Sequence, residues 1–447
     1  MTATSQPELL LRRLSIGAAG SRELEQLLAL SQSTVSRQLR GLIESGRVLR
    51  MGTTRGARYG LRRIIDGIGS AWPLHRVSGS GDIEELGTLY ALTSNEYFLA
   101  SSRRQFARGG LYQGIPCFLQ DQRPGGFLGR AVPRRYPELQ LPERVIDWND
   151  DHYLRYLTQR GSDAVGDLIL GTAALDDYLR IRSARTLVQT SQRQVHYPEL
   201  ANLVMAGGLP GSSAHGEQPK FAAILQEGPR AWHVLVKFSP PADTLIGVRW
   251  SDLLVAEHLA HVHLANKGLP AVSSRILRFA NRTYLEMDRF DRNQIEGRVG
   301  VTSLLAIDSQ QYGLLDNWIA AATRLHRDGR LDQGTLEQVR LIATFGGLIA
   351  NTDRHFGNLA FYGGYDGPFS LAPVYDMLPM LFAPEHDHLP ARPFVPPHTT
   401  SDTLRAHSSA WRMAHEYWQL VSRDARVSEG FRAIAAGCAA SVTPASG

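Results

Sequence analysis

The polar octapeptide NTDRHFGN, residues 351–358, limits the possible folds of this chain more than any other stretch. It follows directly on LIATFGGLIA, an apolar run that reads as a helix. The strand-like segments LAFYG and FSLAPVYD then lead to Asp376. Helical and strand patterns on the two sides of one polar loop are typical of a mixed fold. The sequence therefore predicts the α/β (α+β) class.

The length of 447 residues requires more than one domain, because a domain usually holds about 100 to 200 residues. With 43% hydrophobic and 20% charged residues, the composition is that of a globular protein. A cytoplasmic location is expected, since neither a signal-peptide pattern nor a membrane-spanning apolar run is apparent. Cys117 and Cys438 lie far apart without metal-ligand spacing, so neither a disulfide framework nor a zinc site is expected.

Basic charge is concentrated at the N-terminus. Residues 1–63 contain eleven Arg and four Glu but no Lys or Asp, which gives them a charge of +7 in a chain whose total is +5. Residues 8–30 read as a helix, a Gly-containing turn and a second helix opened by Ser21, and residues 31–46 as a third helix capped by one of its first serines. Two strand-like segments, VLRM and ARYGL, flank a Gly/Thr/Arg tip. This pattern resembles winged helix-turn-helix repressor domains.

This N-terminal domain is expected to bind DNA. Hydrogen-bonding and cationic side chains on its third helix suit a major groove, and arginines at the strand tip suit the adjoining backbone or minor groove. The candidate contacts are Gln32, Ser33, Thr34, Ser36, Arg37 and Arg40 on the helix, and Arg55 and Arg58 at the tip. A protein-interaction domain is the alternative. Because winged domains often act in pairs on palindromic sites, a homodimer is a reasonable expectation.

A lysine inside an apolar strand is a second chemical feature. Lys237 interrupts the strand-like WHVLVKF, and because an unpaired buried charge is costly, its ammonium needs an anion or solvent nearby. A nucleotide phosphate is suitable. The helical segment that follows carries Glu257, which either turns towards Lys237, as in kinases, or stays solvated. Downstream, TYLEMDRFDR ends in a charged, aromatic connector that could line an adenine slot.

Asp353, Asn358 and Asp376 supply, in that order, the groups that phosphoryl transfer needs. One carboxylate orients the attacking hydroxyl, an amide oxygen holds a metal, and a second carboxylate bridges metal and phosphates. The spacing from Asp353 to Asn358 is that of the catalytic loop of protein kinases, and His355 can hold this loop or approach the phosphates. Alternatively, Asn351 and Asp353 cap a turn and Asp376 caps a helix. A metal site on His355 is disfavoured, because Mg²⁺ prefers oxygen ligands.

Five segments in this order, SSAHGEQPK, HVLVKF, MDRFDR, NTDRHFGN and LAPVYD, resemble the motifs of HipA-family serine/threonine kinases. These are the toxin-like kinases of bacterial toxin-antitoxin modules. The resemblance implies a two-lobed protein-kinase-like fold that uses ATP and Mg²⁺ to phosphorylate a protein substrate. It divides the chain into a winged helix-turn-helix domain (1–70), an N-terminal kinase lobe (71–285), a mostly helical C-terminal lobe (286–435) and a flexible tail (436–447).

The resemblance also implies residue roles. Asp353 is the catalytic base, Asn358 and Asp376 are magnesium ligands, and Ser213, or its neighbour Ser212, is autophosphorylated, which ejects the phosphate-covering loop and switches the kinase off. The implied ATP-binding set is His215, Gly216, Glu217, Gln218, Pro219, Lys220, Lys237, Asp288, Arg289, Phe290, His355, Asn358, Tyr375 and Asp376.

The chain departs from the family in two respects. The acidic residue of the hinge, usually Glu, is Asp288, whose shorter side chain alters its contact with a nucleotide. The family normally depends on a separate DNA-binding antitoxin, whereas this chain has its own DNA-binding domain, which either brings the kinase to its promoter or acts as a built-in antitoxin.

Two other functions stay open: a nucleotide-binding transcriptional regulator without turnover, and a lipid or small-molecule kinase. The sequence shows no basic amphipathic membrane helix, so no membrane partner is expected. His386 and His388 are expected in a surface loop rather than in a metal site.

Overall fold

The computed structural model describes residues 6–52, 56–101, 110–207, 218–363, 368–385 and 388–442. Its N-terminal unit consists of α1 Gln6–Leu14, α2 Ser21–Leu28 and α3 Gln32–Glu44 with β1 Ala19–Gly20, β2 Val48–Met51 and β3 Arg58–Leu61, paired in the order β1-β3-β2. Ser31 caps α3 by accepting a hydrogen bond from the Thr34 N–H, and Leu24, Val35 and Leu39 are buried between the helices. The helices and strands predicted for this segment are therefore present.

A second unit is built on an antiparallel sheet whose strand order is β7-β6-β5-β4-β8. Its elements are β4 Ala71–Val77, β5 Ile83–Ala91, β6 Glu96–Ser101, β7 Leu111–Gln113 and β8 Leu168–Leu170, with α4 Cys117–Gln120, α5 Gly126–Arg135, α6 Asp150–Arg160 and α7 Thr172–Ser183. The N-terminal unit is attached to it by hydrogen bonds. The Thr93 hydroxyl donates to the Leu14 carbonyl at 2.7 Å, and Glu96 accepts the Ala18 N–H at 2.7 Å.

A third unit carries the sheet that contains Lys237, with strand order β12-β13-β11-β10-β9. Its elements are β9 Val188–Gln189, β10 Lys220–Glu227, β11 Arg230–Phe238, β12 Ser274–Phe279 and β13 Arg282–Asp288, with α8 Arg193–Gly207 and α9 Leu245–Asn266. Residues alternate between the two faces of a strand. Lys237 therefore points to the face that α9 covers, while Val236 lies in the apolar cluster on the α8 side.

The remaining elements form a mostly helical unit. They are β14 Arg292–Asn293, β15 Gly297–Arg298, β16 Val301–Ser303, β17 Ala360–Tyr362 and β18 Ser370–Leu371, with α10 Leu304–Gln311, α11 Trp318–Arg327, α12 Gln333–Leu348, α13 His407–Arg423 and α14 Glu429–Ser441. One large apolar core joins α9 to α11, α12, α13 and α14.

The last helix continues beyond the predicted start of the flexible tail at residue 436. It ends at Ser441, and Ala435, Cys438 and Ala439 on its inner face are buried in the main core. Because small apolar side chains here pack against α13, residues 436–441 belong to the helical unit, and the prediction of a tail from 436 is wrong for them. No helix among the described residues is long and apolar enough to cross a membrane.

Candidate active site

Lys237 lies between two carboxylates. Its Nζ donates to Glu257 Oε1 at 2.6 Å and Oε2 at 2.8 Å, and to Asp376 Oδ1 at 2.7 Å. Lys237 is 3% exposed and Glu257 is fully buried, whereas the Asp376 side chain keeps 29% of its surface accessible. The sequence left open whether Glu257 is solvated. Glu257 lies on the buried side of α9, where it pairs with Lys237.

The charged groups of this cluster shift one another's pKa values. Burial by itself lowers the pKa of the Lys237 ammonium, but the attraction of Asp376 and Glu257 outweighs burial and raises it. Burial alone would raise the pKa of Asp376, but Lys237 and Lys220 hold it well below the usual range of a carboxyl group. Lys220 lies directly opposite Lys237 in the β10–β11 pairing. Burial raises the pKa of Glu257, although Lys237 opposes the shift, so the charges favoured at neutral pH are those of Lys237 and Asp376.

Asn351 joins the two polar loops of the site. Its Oδ1 accepts the Asp353 N–H at 3.0 Å, and its Nδ2 donates to the Asp376 carbonyl at 3.2 Å. Ala350, which precedes it, and Asp376 both have left-handed backbones, with φ of +60° and +52°. Such conformations are costly for residues other than glycine and tend to occur where the surrounding structure holds a functional site. From its sequence context Asn351 was expected only as a turn cap, and no local pattern indicates this bridging role.

The loop that follows places Asp353 at the edge of the core. Asn358 Nδ2 donates to the Asp353 carbonyl at 2.8 Å, and His355 Nδ1 accepts the Gly357 N–H at 3.0 Å, so both side chains close the loop. Burial raises the pKa of Asp353; the charge of Asp376 acts in the same direction, while His355 and Lys237 oppose it. His355 thus takes the loop-holding role that the sequence left as one of two options.

Two aromatic rings lie beside this loop. Phe290 and Tyr375 stack with their centroids 5.5 Å apart, and the Tyr375 hydroxyl donates to the Gly357 carbonyl at 2.6 Å. Both rings pack against the cluster of Met287 and Leu235 on the α9 face of the sheet. These side chains form the apolar wall that the predicted adenine slot requires.

The other predicted hinge residues are engaged within the protein. The N–H groups of Asp288 and Arg289 donate to the carbonyls of Ser273 and His233 at 2.9 and 3.0 Å. The Arg289 guanidinium forms ion pairs with Asp291 at 2.9 Å and with Asp163 at 3.1 Å. Arg289 therefore ties the hinge to the second unit and directs its charge away from the aromatic wall.

Most of the predicted phosphate-covering loop lies outside the described residues. This holds for Ser212, Ser213, His215, Gly216 and Glu217. Gln218 is buried, with no hydrogen-bond partner for its Nε2 among the described residues, and the Pro219 carbonyl accepts the Phe238 N–H at 3.0 Å. Of the predicted pair of histidines, His386 is also outside the described residues, while His388 bonds through its backbone to Glu385.

The oxygen atoms of the site suit a hard cation. Asn358 uses its Nδ2 as a donor to the loop, so its Oδ1 faces the other way, and Asp376 commits only Oδ1 to Lys237. An amide and a carboxylate oxygen are ligands that Mg²⁺ accepts. Within the described part of the chain, no group of three or more His, Cys, Asp or Glu side chains could hold a metal. These two oxygens therefore suit a Mg²⁺ ion that phosphate oxygens also bind, better than they suit a metal ion held by protein side chains alone.

The surface of α3 carries most of the residues predicted to contact DNA. Gln32, Ser33, Ser36, Arg37 and Arg40 are exposed, whereas Thr34 is half-buried and its hydroxyl lies 2.9 Å from Ser31 Oγ. Arg58 donates to the Ala18 carbonyl, so its guanidinium is tied to the body of the N-terminal unit. Arg55 lies outside the described residues.

Sequence reasoning missed a second buried ion pair on the opposite face of the Lys237 sheet. Glu286 accepts two hydrogen bonds from the Arg193 guanidinium, at 2.7 and 2.9 Å, and one from the Tyr197 hydroxyl at 2.5 Å. All three side chains are buried. A glutamate in the otherwise apolar strand TYLEMD was the only signal that could have revealed the pair.

Comparison with known proteins agrees with this architecture. Residues 68–179 match the model of the YjjJ-like toxin, middle domain, and residues 212–443 match that of the HipA-like C-terminal domain. Toxin YjjJ of Escherichia coli (strain K12) is 35% identical over 425 residues, which cover 94% of this chain and 94% of that protein.

A solved structure shares the fold. A chain from the Shewanella oneidensis MR-1 toxin-antitoxin complex of HipA, HipB and operator DNA aligns with a TM-score of 0.54 and 13% identity, over 83% of this chain and 95% of that chain. The fold of the protein therefore has a counterpart in that chain, and the family models and the E. coli relative extend the agreement to sequence. The chain is a member of the HipA-like toxin family.

Proposed function

We propose that this protein is an ATP- and Mg²⁺-dependent serine/threonine kinase whose N-terminal unit binds DNA. The observation that carries the kinase proposal is the contact of Lys237 with Glu257 and Asp376 beside the Asp353 loop. In kinases, a lysine on a central strand paired with a helix glutamate is the arrangement that positions nucleotide phosphates. A purely structural ion pair has no need of a second carboxylate that stays accessible, as Asp376 does.

Each residue has a specific task in the proposed transfer. Asp353 hydrogen-bonds the acceptor hydroxyl and takes its proton while the hydroxyl oxygen forms a bond to the terminal phosphorus of ATP, and the bond from that phosphorus to ADP breaks. Lys237 neutralises charge on the phosphates. Asn351 keeps Asp353 and Asp376 in register, because one amide bonds to the backbones of both.

Asn358 and Asp376 are the proposed ligands for Mg²⁺, which when bound neutralises part of the negative charge on the phosphate oxygens. Phe290 and Tyr375 provide the apolar wall for the adenine ring. By resemblance to the family, we also propose that Ser213, or Ser212 beside it, becomes phosphorylated and that this switches the kinase off.

Phosphate incorporation from labelled ATP tests the kinase proposal. We expect label on Ser213 or Ser212, located by mass spectrometry, with a rate that falls about a hundredfold to ten-thousandfold in Asp353→Asn, the usual contribution of a general base. Asp243→Asn, a change in an exposed carboxylate outside the site, is the matched control. If the folded native protein binds ATP but never transfers label, it is instead a nucleotide-binding transcriptional regulator.

The DNA-binding proposal rests on the exposed polar and basic side chains of α3 and on the charge of +7 over residues 1–63. Fluorescence anisotropy with a labelled duplex from upstream of the gene measures it. Arg37→Ala together with Arg40→Ala should weaken binding and lower the salt dependence by about one unit per lost phosphate contact. Arg134→Ala together with Arg144→Ala, two exposed arginines of the second unit, is the charge-matched control. Equal effects of the two changes would contradict a role for α3.

A further inference from the structure

A separate pocket of about 450 Å³ lies at the hairpin between β12 and β13. Three segments line it: the first half of α9, the hairpin between β12 and β13, and residues 425–428 between α13 and α14. It involves the start of β13, whereas the proposed nucleotide cleft lies at the other end of that strand, beyond Met287. No role in the proposed phosphoryl transfer falls to these residues.

Three arginines converge on the pocket from different segments. Arg278 and Arg282 belong to the hairpin and Arg426 to the loop before α14. Arg278 donates to the Arg426 carbonyl, and Arg282 donates through Nη1 to the Ser239 carbonyl at 2.8 Å. Backbone carbonyls thus hold both guanidiniums in place, while Asp252, which also lines the pocket, attracts Arg278 electrostatically.

The acidic groups nearby are already satisfied. Asp252 at the base of the pocket accepts the Ser428 N–H at 2.7 Å and the Ser428 hydroxyl at 2.6 Å. Asp424 pairs with Arg426 through contacts of 2.7 and 3.0 Å. The lining and the neighbouring Asp424 thus hold three arginines against two carboxylates, an excess of one positive charge, and the N-terminus of α14 beside Ser428 adds a partial positive charge.

The apolar lining, the fixed hairpin wall and the arginines limit the chemical class of ligand that the pocket can bind. Phe279, Val248 and Val427 supply apolar surface next to the guanidiniums. The hairpin wall is fixed, because the Ala242 N–H donates to the Asn281 carbonyl at 2.8 Å. Arginine forms its strongest hydrogen bonds with carboxylates and phosphates, often through two parallel N–H donors.

We infer that this pocket is a second ligand site, which takes a small anion with a phosphate or carboxylate head and an apolar body. The site is built into both lobes, since α9 and the hairpin belong to the Lys237 unit and residues 425–428 to the helical unit. Ligand binding here does not depend on the proposed kinase activity.

Isothermal titration calorimetry on the full chain without nucleotide tests the inference, with phenyl phosphate, benzoate and neutral benzamide as probes. We expect an anion to bind and benzamide to bind at least about tenfold more weakly. The comparison of phenyl phosphate with benzoate identifies the preferred head group. Arg282→Gln should weaken anion binding about tenfold or more, whereas Arg275→Gln, an exposed arginine on β12 outside the pocket, should leave it unchanged.

Arg282→Gln also removes a hydrogen bond to the backbone, which affects folding. A second variant that keeps this bond tests anion binding separately from folding. Ala425→Glu adds a negative charge at an exposed lining residue without removing a side-chain contact, and it should also weaken anion binding. The inference is overturned if neither anion binds, if benzamide binds as well as the anions, or if Ala425→Glu leaves the affinity unchanged. It is likewise overturned if only Lys237→Met abolishes binding, since the anion then occupies the cleft.

Discussion

The two faces of the Lys237 sheet each bury an ion pair, but the two pairs differ in the number of carboxylates that the cation contacts and in access to solvent. On the α8 face, Arg193 and Glu286 form a neutral pair that Tyr197 completes, and all three side chains are buried. On the α9 face, one lysine meets two carboxylates, and one of these, Asp376, is 29% exposed. The strands bring the pairs close, since Val236 next to Lys237 lies opposite Glu286.

The difference separates a structural pair from a candidate binding group. A buried pair that satisfies its own charges can stabilise the packing of α8 but leaves nothing for a ligand. A cluster in which one carboxylate reaches solvent keeps affinity for a cation, and its lysine keeps affinity for a phosphate. Buried ion pairs are also weak evidence for stability, because desolvation offsets much of their attraction. Function is therefore expected only on the α9 face, which the following predictions test.

The largest effect is expected for Lys237→Met. Phosphate incorporation should fall by about a hundredfold to a thousandfold, the range seen when one preorganised donor is removed from an active site. The folded state should also lose about 3 to 5 kcal/mol, because Glu257 is left buried without its partner. Lys237→Met combined with Glu257→Leu should recover most of the stability in a urea titration but none of the activity. Recovered activity would contradict the proposed role of the cluster.

On the opposite face, Arg193→Met should cost about 3 to 5 kcal/mol, since it leaves Glu286 uncompensated in the core. The double variant Arg193→Met with Glu286→Leu should recover stability in the same urea titration. Phosphate incorporation by this double variant should stay within a few-fold of that of the native protein. A loss of activity as large as that of the Lys237 variants would erase the distinction between the faces.

The pH dependence of transfer should report the Asp353 carboxyl. Burial raises its pKa, and the Asp376 charge adds to the effect against His355 and Lys237. Only the ionised form accepts a proton, so the rate should fall about tenfold per pH unit below that pKa and stay level above it. In the residual activity of Asp353→Asn this acidic limb should disappear. An unchanged limb, measured where circular dichroism shows a folded protein, would assign the titration to another group.

The smallest effect is expected for Arg275→Ala. This arginine approaches Glu286 at 3.8 Å, but its side chain is 55% exposed. Exposed ion pairs contribute about 0 to 1 kcal/mol, because water and salt screen them. The urea midpoint should therefore barely move, in contrast to Arg193→Met. A shift as large as that of Arg193→Met would mean that Glu286 depends on both arginines.

Local patterns predicted much of the fold. The N-terminal helices and strands follow from caps and from apolar spacing over a few residues, as at Ser31 and along α3. The strand with Lys237 and the helix α12 before the Asp353 loop were also predicted from apolar runs. Helix ends were less accurate. The helical pattern around Glu257 starts at Ser251 in the sequence, whereas α9 begins six residues earlier, at Leu245, where Thr244 caps it.

The same local reasoning could not reveal contacts between distant segments. The contact of Lys237 with Asp376 joins residues 139 positions apart, and that of Arg193 with Glu286 joins residues 93 apart. Arg289 bonds to Asp163, which lies 126 positions away in the chain. Its guanidinium is therefore engaged within the protein and not in the contact with a nucleotide that was expected at the hinge. Residue types and spacing identified candidates for the site, but not which candidates face each other.

The sequence by itself determined where polar chemistry interrupts apolar segments, because hydrophobic periodicity, capping residues and breakers act over a few residues. It therefore specified Lys237, Asp353, Asn358 and Asp376 as candidates and indicated the kinase-like family. Tertiary structure alone decided that Glu257 is buried against Lys237 and that Asn351 links the two polar loops. The physical reason is that the burial and pairing of a charge depend on the whole packed arrangement of strands and helices, which brings together side chains that the chain itself holds far apart.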